Sequence, residues 1–289
     1  MKPFDVLLLL TLSAIWGASF LFMRYLAPLI GPLATADLRI LVAGLFLVLL
    51  FLRTGPALQW RARWCRYLVV GLVNSAVPFC LYSYAALTLP ASVESVLNAL
   101  SPCFGAVFAA LWLAERLTAR KIAGLVLGVS GVAVVAGLGS GDLAGSTLTA
   151  VLACAGAAAC YGAAGVYLKK RAQGIEPRAM AAGSQLLGGL FLAPSLAFPP
   201  PLALLNPTAA AIVLAFALLC SAVAYLIFYR LVASVGPTKT LTVTFLIPVF
   251  GILWGSLFFH EAVTLATGAG AVLILAGTYL VAVAGRKPA

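Results

Sequence analysis

Charge is what this sequence has least of. Only 9% of its 289 residues are Asp, Glu, Lys or Arg, whereas a water-soluble domain carries roughly 25% to solvate its surface. Acids are scarcest, with seven Asp and Glu against 18 Lys and Arg. Histidine occurs once, as His260, so no histidine cluster can hold a metal and no nucleophile has a histidine beside it. Paired acids on one helix face are also missing. Enzyme chemistry therefore has no candidate set, and no cofactor is expected. No G-x-x-x-x-G-K-[ST] loop is present, which excludes that route to nucleotide hydrolysis. None of the six cysteines forms a Cys-x-x-Cys pair, and all but Cys65 lie in apolar segments. There they read as small hydrophobes, not as a disulfide framework or zinc site.

What is present is hydrophobic length. Sixty-four per cent of the residues are hydrophobic, and a helix needs about 20 of them to cross a bilayer. The pattern predicts an all-α membrane protein of ten transmembrane helices, near 4–23, 33–52, 66–88, 92–113, 119–138, 144–168, 179–198, 208–230, 237–258 and 263–284. The first is read as a retained helix, since no convincing cleavage site follows it. Turn formers such as Gly31-Pro32, Pro90, Asn206-Pro207 and Gly236-Pro237 separate the spans. The net charge of +11 is scattered over short loops, so nucleic acid is not an expected partner. With the N-terminus inside, sixteen Lys and Arg fall in one set of loops and only Arg24 in the other. Arg39 lies inside the second span. Cytoplasmic loops are enriched in Lys and Arg, so both termini are expected in the cytoplasm.

The chain also repeats. Ser101-Pro102-Cys-Phe-Gly and Ile247-Pro248-Val-Phe-Gly lead to Glu115 and Glu261 at a constant offset of 146. The same offset carries Gly124 onto Gly270 and Gly131 onto Gly277, and Trp16-Gly17 lies near Tyr161-Gly162 at an offset of 145. Residues 1–140 and 141–289 thus read as two copies of a five-helix unit. Five is odd, so the second copy enters the membrane inverted. The loop charges agree: four Arg lie in 53–66 and none in 199–207. Inverted repeats are common in secondary transporters, with substrate held near the midplane between the repeats.

A unit of roughly 130 residues that opens on a Trp-Gly or Tyr-Gly helix and closes on P-x-x-[FG]…E before a Gly-rich helix resembles the EamA domain. That domain is found in the drug/metabolite transporter superfamily, and the resemblance covers nearly the whole chain. Among its branches the chain is most similar to bacterial amino-acid exporters, including the aromatic amino acid type. The resemblance implies a carrier of the bacterial inner (plasma) membrane without an ATPase domain. It also implies a central cavity lined by helices 1–4 and 6–9. The function expected is export of small metabolites, foremost amino acids, aromatic ones among them, by alternating access. The alternative is a multidrug, nucleoside or sugar-like carrier of the same superfamily. A channel or a non-transporting scaffold is the more distant reading, since a channel wants a continuous polar lining.

Polar residues inside spans mark the candidate site, because they face the bundle interior or a wet cavity. Glu94, Asn98 and Pro102 form one face at i, i+4, i+8, and the offset maps them onto Thr240, Thr244 and Pro248. Asn74, Pro78 and Tyr82 form another face, and Ser221, Tyr225 and Tyr229 a third. Trp16, Asn74, Tyr82, Asn98, Tyr161, Gln185, Tyr225 and Thr244 are the candidate substrate-binding residues. Tyr and Trp there could equally be interfacial anchors. Pro78, Pro102 and Pro248 are candidate hinges. Arg39, which the offset maps onto Gln185, is expected to pair with Asp37 or Glu94; it could instead hold a substrate carboxylate. Glu94 could take up a proton. Glu115 and Glu261 are expected to cap or brace the next helix. Gly124, Gly128 and Gly131 predict close helix packing, internal or between the protomers of a homodimer.

Overall fold

The computed structural model describes residues 2–55, 58–137, 145–197, 202–240 and 242–284. Residues 140 and 141, where the two sequence units were divided, lie outside the described residues, as do Arg286 and Lys287. No strand occurs among the described residues. The helices are α1 (Pro3–Ile30), α2 (Pro32–Thr54), α3 (Trp60–Ala85), α4 (Ala91–Leu113) and α5 (Ala119–Val135). They continue as α6 (Gly145–Arg171), α7 (Pro177–Ala197), α8 (Pro207–Val235), α9 (Val243–Phe259) and α10 (Leu265–Ala284). A four-residue helical turn, Pro237–Thr240, precedes α9.

Among the described residues, eight helices are long and apolar enough to cross a membrane, and α9 is a shorter apolar helix. Their outward faces carry Phe46, Leu49, Leu111, Phe191, Leu257 and Val272, each at least 41% exposed, as does α5 with Val129. Apolar surface on that scale has no place in water. Hydrocarbon tails cover it at no cost, so the chain is a multi-pass membrane protein.

In such a solvent helices associate through close packing, which small residues permit. The contact of α5 with α10 runs along both helices. A Cβ added at Gly124 would sit 2.8 Å from the Val281 Cγ2, and one at Gly131 would sit 2.9 Å from the Gly270 carbonyl oxygen. Added at Gly277, it would meet the Gly128 backbone at 2.8 Å. Gly124 therefore lies against Gly277, and Gly131 against Gly270. The glycine pattern is spent on packing within one chain.

Three of the helices are interrupted where the sequence shows polar faces. The α3 helix contains a π-helical turn at Leu72–Ala76, followed by Pro78. The α8 helix contains one at Leu218–Val223, with no proline to induce it. Leu72 and Leu218 are 146 residues apart, the offset of the sequence repeat. The α4 helix breaks at Ala99–Leu100, just before Pro102. Proline cannot donate to the carbonyl four residues back, which here is Asn98. Ser101 Oγ donates to that oxygen instead (2.7 Å), and Thr278 Oγ1 of α10 donates to the neighbouring Ala99 carbonyl (2.6 Å).

Both α4 and α9 end on a residue in the left-handed region, Ala114 (φ 53°) and His260 (φ 52°), again at the repeat offset. The glutamate after each donates its backbone N–H to Ala109 or Gly255. Their side chains then diverge. Glu115 accepts from Lys169 Nζ (2.8 Å) and Lys121 Nζ (3.3 Å), and those bonds, Lys169's first, hold its carboxyl below the usual range. Lys121 belongs to the following helix, so this brace is the expected one. Glu261 does not brace its following helix. It accepts the Ala91 N–H (2.8 Å) and the Ser92 N–H (3.0 Å) at the start of α4. The first N–H groups of a helix have no intrahelical acceptor, and α4 supplies them where no cap is available from Pro90.

Candidate functional site

The polar faces of α1, α3, α4, α6 and α8 form two sets of ring contacts and hydrogen bonds, which adjoin where Tyr161 and Tyr225 lie within electrostatic reach of one another. Tyr82 donates from its hydroxyl to Asn98 Oδ1 (3.0 Å). Its ring stacks on Tyr161 (6.1 Å between centroids) and receives the edge of Phe20 (5.4 Å). Asn74, on the first π turn, donates to the Tyr225 hydroxyl (3.3 Å). Tyr225 stacks on Tyr229 (6.0 Å) and meets Trp16 edge-on (6.2 Å), while Trp16 leans on Phe228 (5.7 Å). Buried Tyr and Trp seek a partner for their polar tips, and here they find one another's helices. Trp16, Asn74, Asn98, Tyr161 and Tyr225 each keep part of their surface uncovered by protein.

Arg39 of α2 stands at the edge of this cluster, 4% exposed. Its Nε donates to Ser221 Oγ (3.0 Å), and its Nη2 donates to Ser19 Oγ (3.3 Å) and to the Cys220 carbonyl (3.3 Å). The second π turn makes the last contact available: the Ala224 N–H reaches the Leu219 and Ser221 carbonyls and bypasses Cys220. The guanidinium carbon lies 3.7 Å from the Phe79 ring centroid and 4.6 Å from that of Phe216. Such cation–π contacts are strongest when desolvated. Tyr161 and Tyr225 lie within electrostatic reach of the same charge.

The ion pair expected between Arg39 and Asp37 or Glu94 is not made. Two residues along an α-helix turn the side chain through about 200°, so Asp37 leaves the helix on the opposite side. Glu94, on α4, lies nearer Arg24 and Glu261. Both carboxylates are fully buried and neither has a hydrogen-bond partner among the described residues. Arg24 itself donates to the Ala86 (2.9 Å) and Leu89 (3.0 Å) carbonyls in the turn after α3.

Six of the eight sequence-derived candidates, Trp16, Asn74, Tyr82, Asn98, Tyr161 and Tyr225, are brought together. Gln185 is fully buried where α7 meets α2 beside Gly44, and neither atom of its amide has a hydrogen-bond partner. Thr244 is half-buried in the first turn of α9. Among the candidate hinges, Pro78 follows a π turn, Pro102 follows the break in α4, and Pro248 sits inside a continuous helix. The sequence reading overlooked Ser19, Phe20, Phe79, Phe216 and the Cys220 carbonyl. Ser19 was findable, lying at i+3 from Trp16 on one helix face. The π turns left no signal that composition or periodicity reports.

A family model described as the EamA-like transporter family matches residues 4–137 and 148–283. An uncharacterized transporter of Bacillus subtilis, YvbV, is 32% identical over 282 residues, covering 97% of this chain and 92% of the relative. A "probable amino-acid metabolite efflux pump" of Salmonella typhimurium is 26% identical, covering 96% and 94%. A solved structure described only as the crystal structure of a protein shares 19% identity and superposes with a TM-score of 0.66 over the full length of both chains, which speaks for the fold. The chain belongs to the EamA-like transporter family.

Proposed function

We propose that this member of the EamA-like transporter family is a secondary carrier of ten transmembrane helices. The helices form two inverted five-helix repeats that export amino acids or closely related small metabolites by alternating access. The observation that carries the reading is the cluster of Trp16, Asn74, Tyr82, Asn98, Tyr161 and Tyr225. It draws on α1, α3 and α4 from the first half of the chain and α6 and α8 from the second. Hydrogen-bonding groups and rings meet there with surface left uncovered, as a small amphipathic solute requires. Support for inversion comes from the glycines. Gly124 and Gly131 correspond to Gly270 and Gly277, and each touches the counterpart of the other. A two-fold axis in the membrane plane produces such an exchange. The π turns and the left-handed caps at the same offset support the duplication.

The name of the Salmonella relative favours an amino-acid substrate. The Lys and Arg bias favours cytoplasmic termini, in a bacterial inner membrane. The test is efflux from proteoliposomes preloaded with a panel of labelled amino acids, with and without a proton gradient. Saturable efflux of a subset is expected, and Asn98→Ala, which removes the acceptor of the Tyr82 hydroxyl, is expected to abolish it while leaving the fold intact. Folded protein that moves no amino acid sinks the amino-acid reading, and flux that never saturates points to a channel.

A further inference from the structure

We propose that Arg39 is the anchor for a substrate carboxylate, and that the carboxylate, not the ammonium, is the group this carrier demands. The inference rests on the carrier reading above and names the chemical class that the site selects. A guanidinium carries five N–H donors in a planar fork. Arg39 uses Nε and Nη2 on Ser221, Ser19 and the Cys220 carbonyl, all of them neutral. Its Nη1 donates to none of the described residues, and no described carboxylate lies within ion-pair distance. A full positive charge is thus held in the bundle interior by neutral dipoles and two aromatic rings, with Nη1 unspent.

The Phe79 and Phe216 rings lie against the guanidinium carbon and Nε and Nη2 are engaged, so Nη1 is the donor left for a ligand carboxylate, a charge-assisted bond. Within reach of the Arg39 charge, Tyr161 and Tyr225 keep part of their surface uncovered, and Trp16 meets Tyr225 edge-on, so rings are available for an apolar or aromatic side chain. The polar groups of this shell, Ser19, Ser221, Asn74 and the tyrosine hydroxyls, are uncharged, so nothing there demands an ammonium. Asp37 leaves α2 on the far side, and Glu94 sits near Arg24. The substrate class is therefore an apolar or aromatic monocarboxylate. Amino acids belong to it through their carboxylate, and analogues without the amine should be accepted as well.

Three ligands with one ring and different heads separate the possibilities: phenylacetate, phenylacetamide and phenethylamine. Binding to the purified full chain is followed by tryptophan fluorescence, for which Trp16 lies within the cluster. The expected result is that phenylacetate binds about 10- to 100-fold more tightly than the amide or the amine, the range of one charge-assisted hydrogen-bond set. Arg39→Gln should remove that preference. Arg39→Lys should keep part of it, since a point charge remains without the fork. Equal binding of the three heads, no binding of phenylacetate, or a preference unchanged in Arg39→Gln would each overturn the proposal. The wild-type comparison decides even where a variant fails to fold. Flux measured alongside separates the two readings. Saturable amino-acid efflux without carboxylate preference removes the anchor and leaves the carrier, whereas absence of any saturable flux removes the carrier.

Discussion

Replacing Glu261 tests whether a side chain after α9 holds the start of α4. Its two carboxylate oxygens accept the Ala91 and Ser92 N–H groups at 2.8 and 3.0 Å, and both of those residues are buried. A hydrogen bond to a charged group contributes about 1.5–3 kcal/mol, and a negative charge at a helix N-terminus adds about 0.3–1 kcal/mol. Water recovers part of this, because Glu261 is only half-buried. Glu261→Ala should therefore cost about 2–4 kcal/mol, and Glu261→Gln, which keeps one acceptor oxygen, about half of that. At roughly 2–4 °C per kcal/mol the alanine variant should melt about 4–16 °C below the wild type. The natural assay is thermal unfolding in detergent read by a thiol-reactive dye. Cys103, Cys154 and Cys220 are buried and report unfolding, and exposed Cys65 sets the baseline. Glu115→Ala is the control. Its pair with Lys169, 65% exposed, contributes at most about 1 kcal/mol, and the bond from Lys121, 8% exposed, is long at 3.3 Å, so the combined loss should stay below that of Glu261→Ala. A melting temperature for Glu261→Ala equal to that of wild type, or a Glu115→Ala loss as large, would refute the capping argument.

Gly124→Val places branched carbons where the Val281 methyl and the α10 backbone already stand; overpacking of this kind costs about 1–3 kcal/mol or separates the helices. Gly165→Ala, with nothing within 4 Å of its added Cβ, should be neutral or stabilising by up to about 1 kcal/mol through helix propensity, and equal melting of the two variants would contradict the packing scheme. Orientation is open to the same thiols: a membrane-impermeant maleimide should label Cys65, the one exposed cysteine, in inside-out vesicles and spare it in right-side-out ones. Thr278→Val withdraws the donor to the Ala99 carbonyl exposed by the break in α4, which should lower the melting temperature by the equivalent of about 1–3 kcal/mol; an unchanged melting curve would mean that water or relaxation replaces it.

The membrane class was legible in the chain, and the sequence repeat visible in it, because both depend on local quantities. Apolar length sets a span, and a constant offset of 146 needs no geometry to be seen. The i, i+4 spacing fixed which residues share a helix face, so the stripes through Asn98, Tyr82 and Tyr225 were recovered in two adjoining sets. What those faces meet was decided only by tertiary structure. Arg39 finds Ser221 across 182 residues, and its nearest acid in sequence, Asp37, is turned away by the helix's own 100° step. Glu115 and Glu261 occupy matching positions in the repeat, yet one meets lysines and the other meets the start of a helix. The π turns, which offer the Cys220 carbonyl to Arg39, likewise leave no trace in hydropathy. A sequence specifies helix faces residue by residue, but the partner of a buried polar group is set by which helices become neighbours, and that choice is made by close packing over the whole chain.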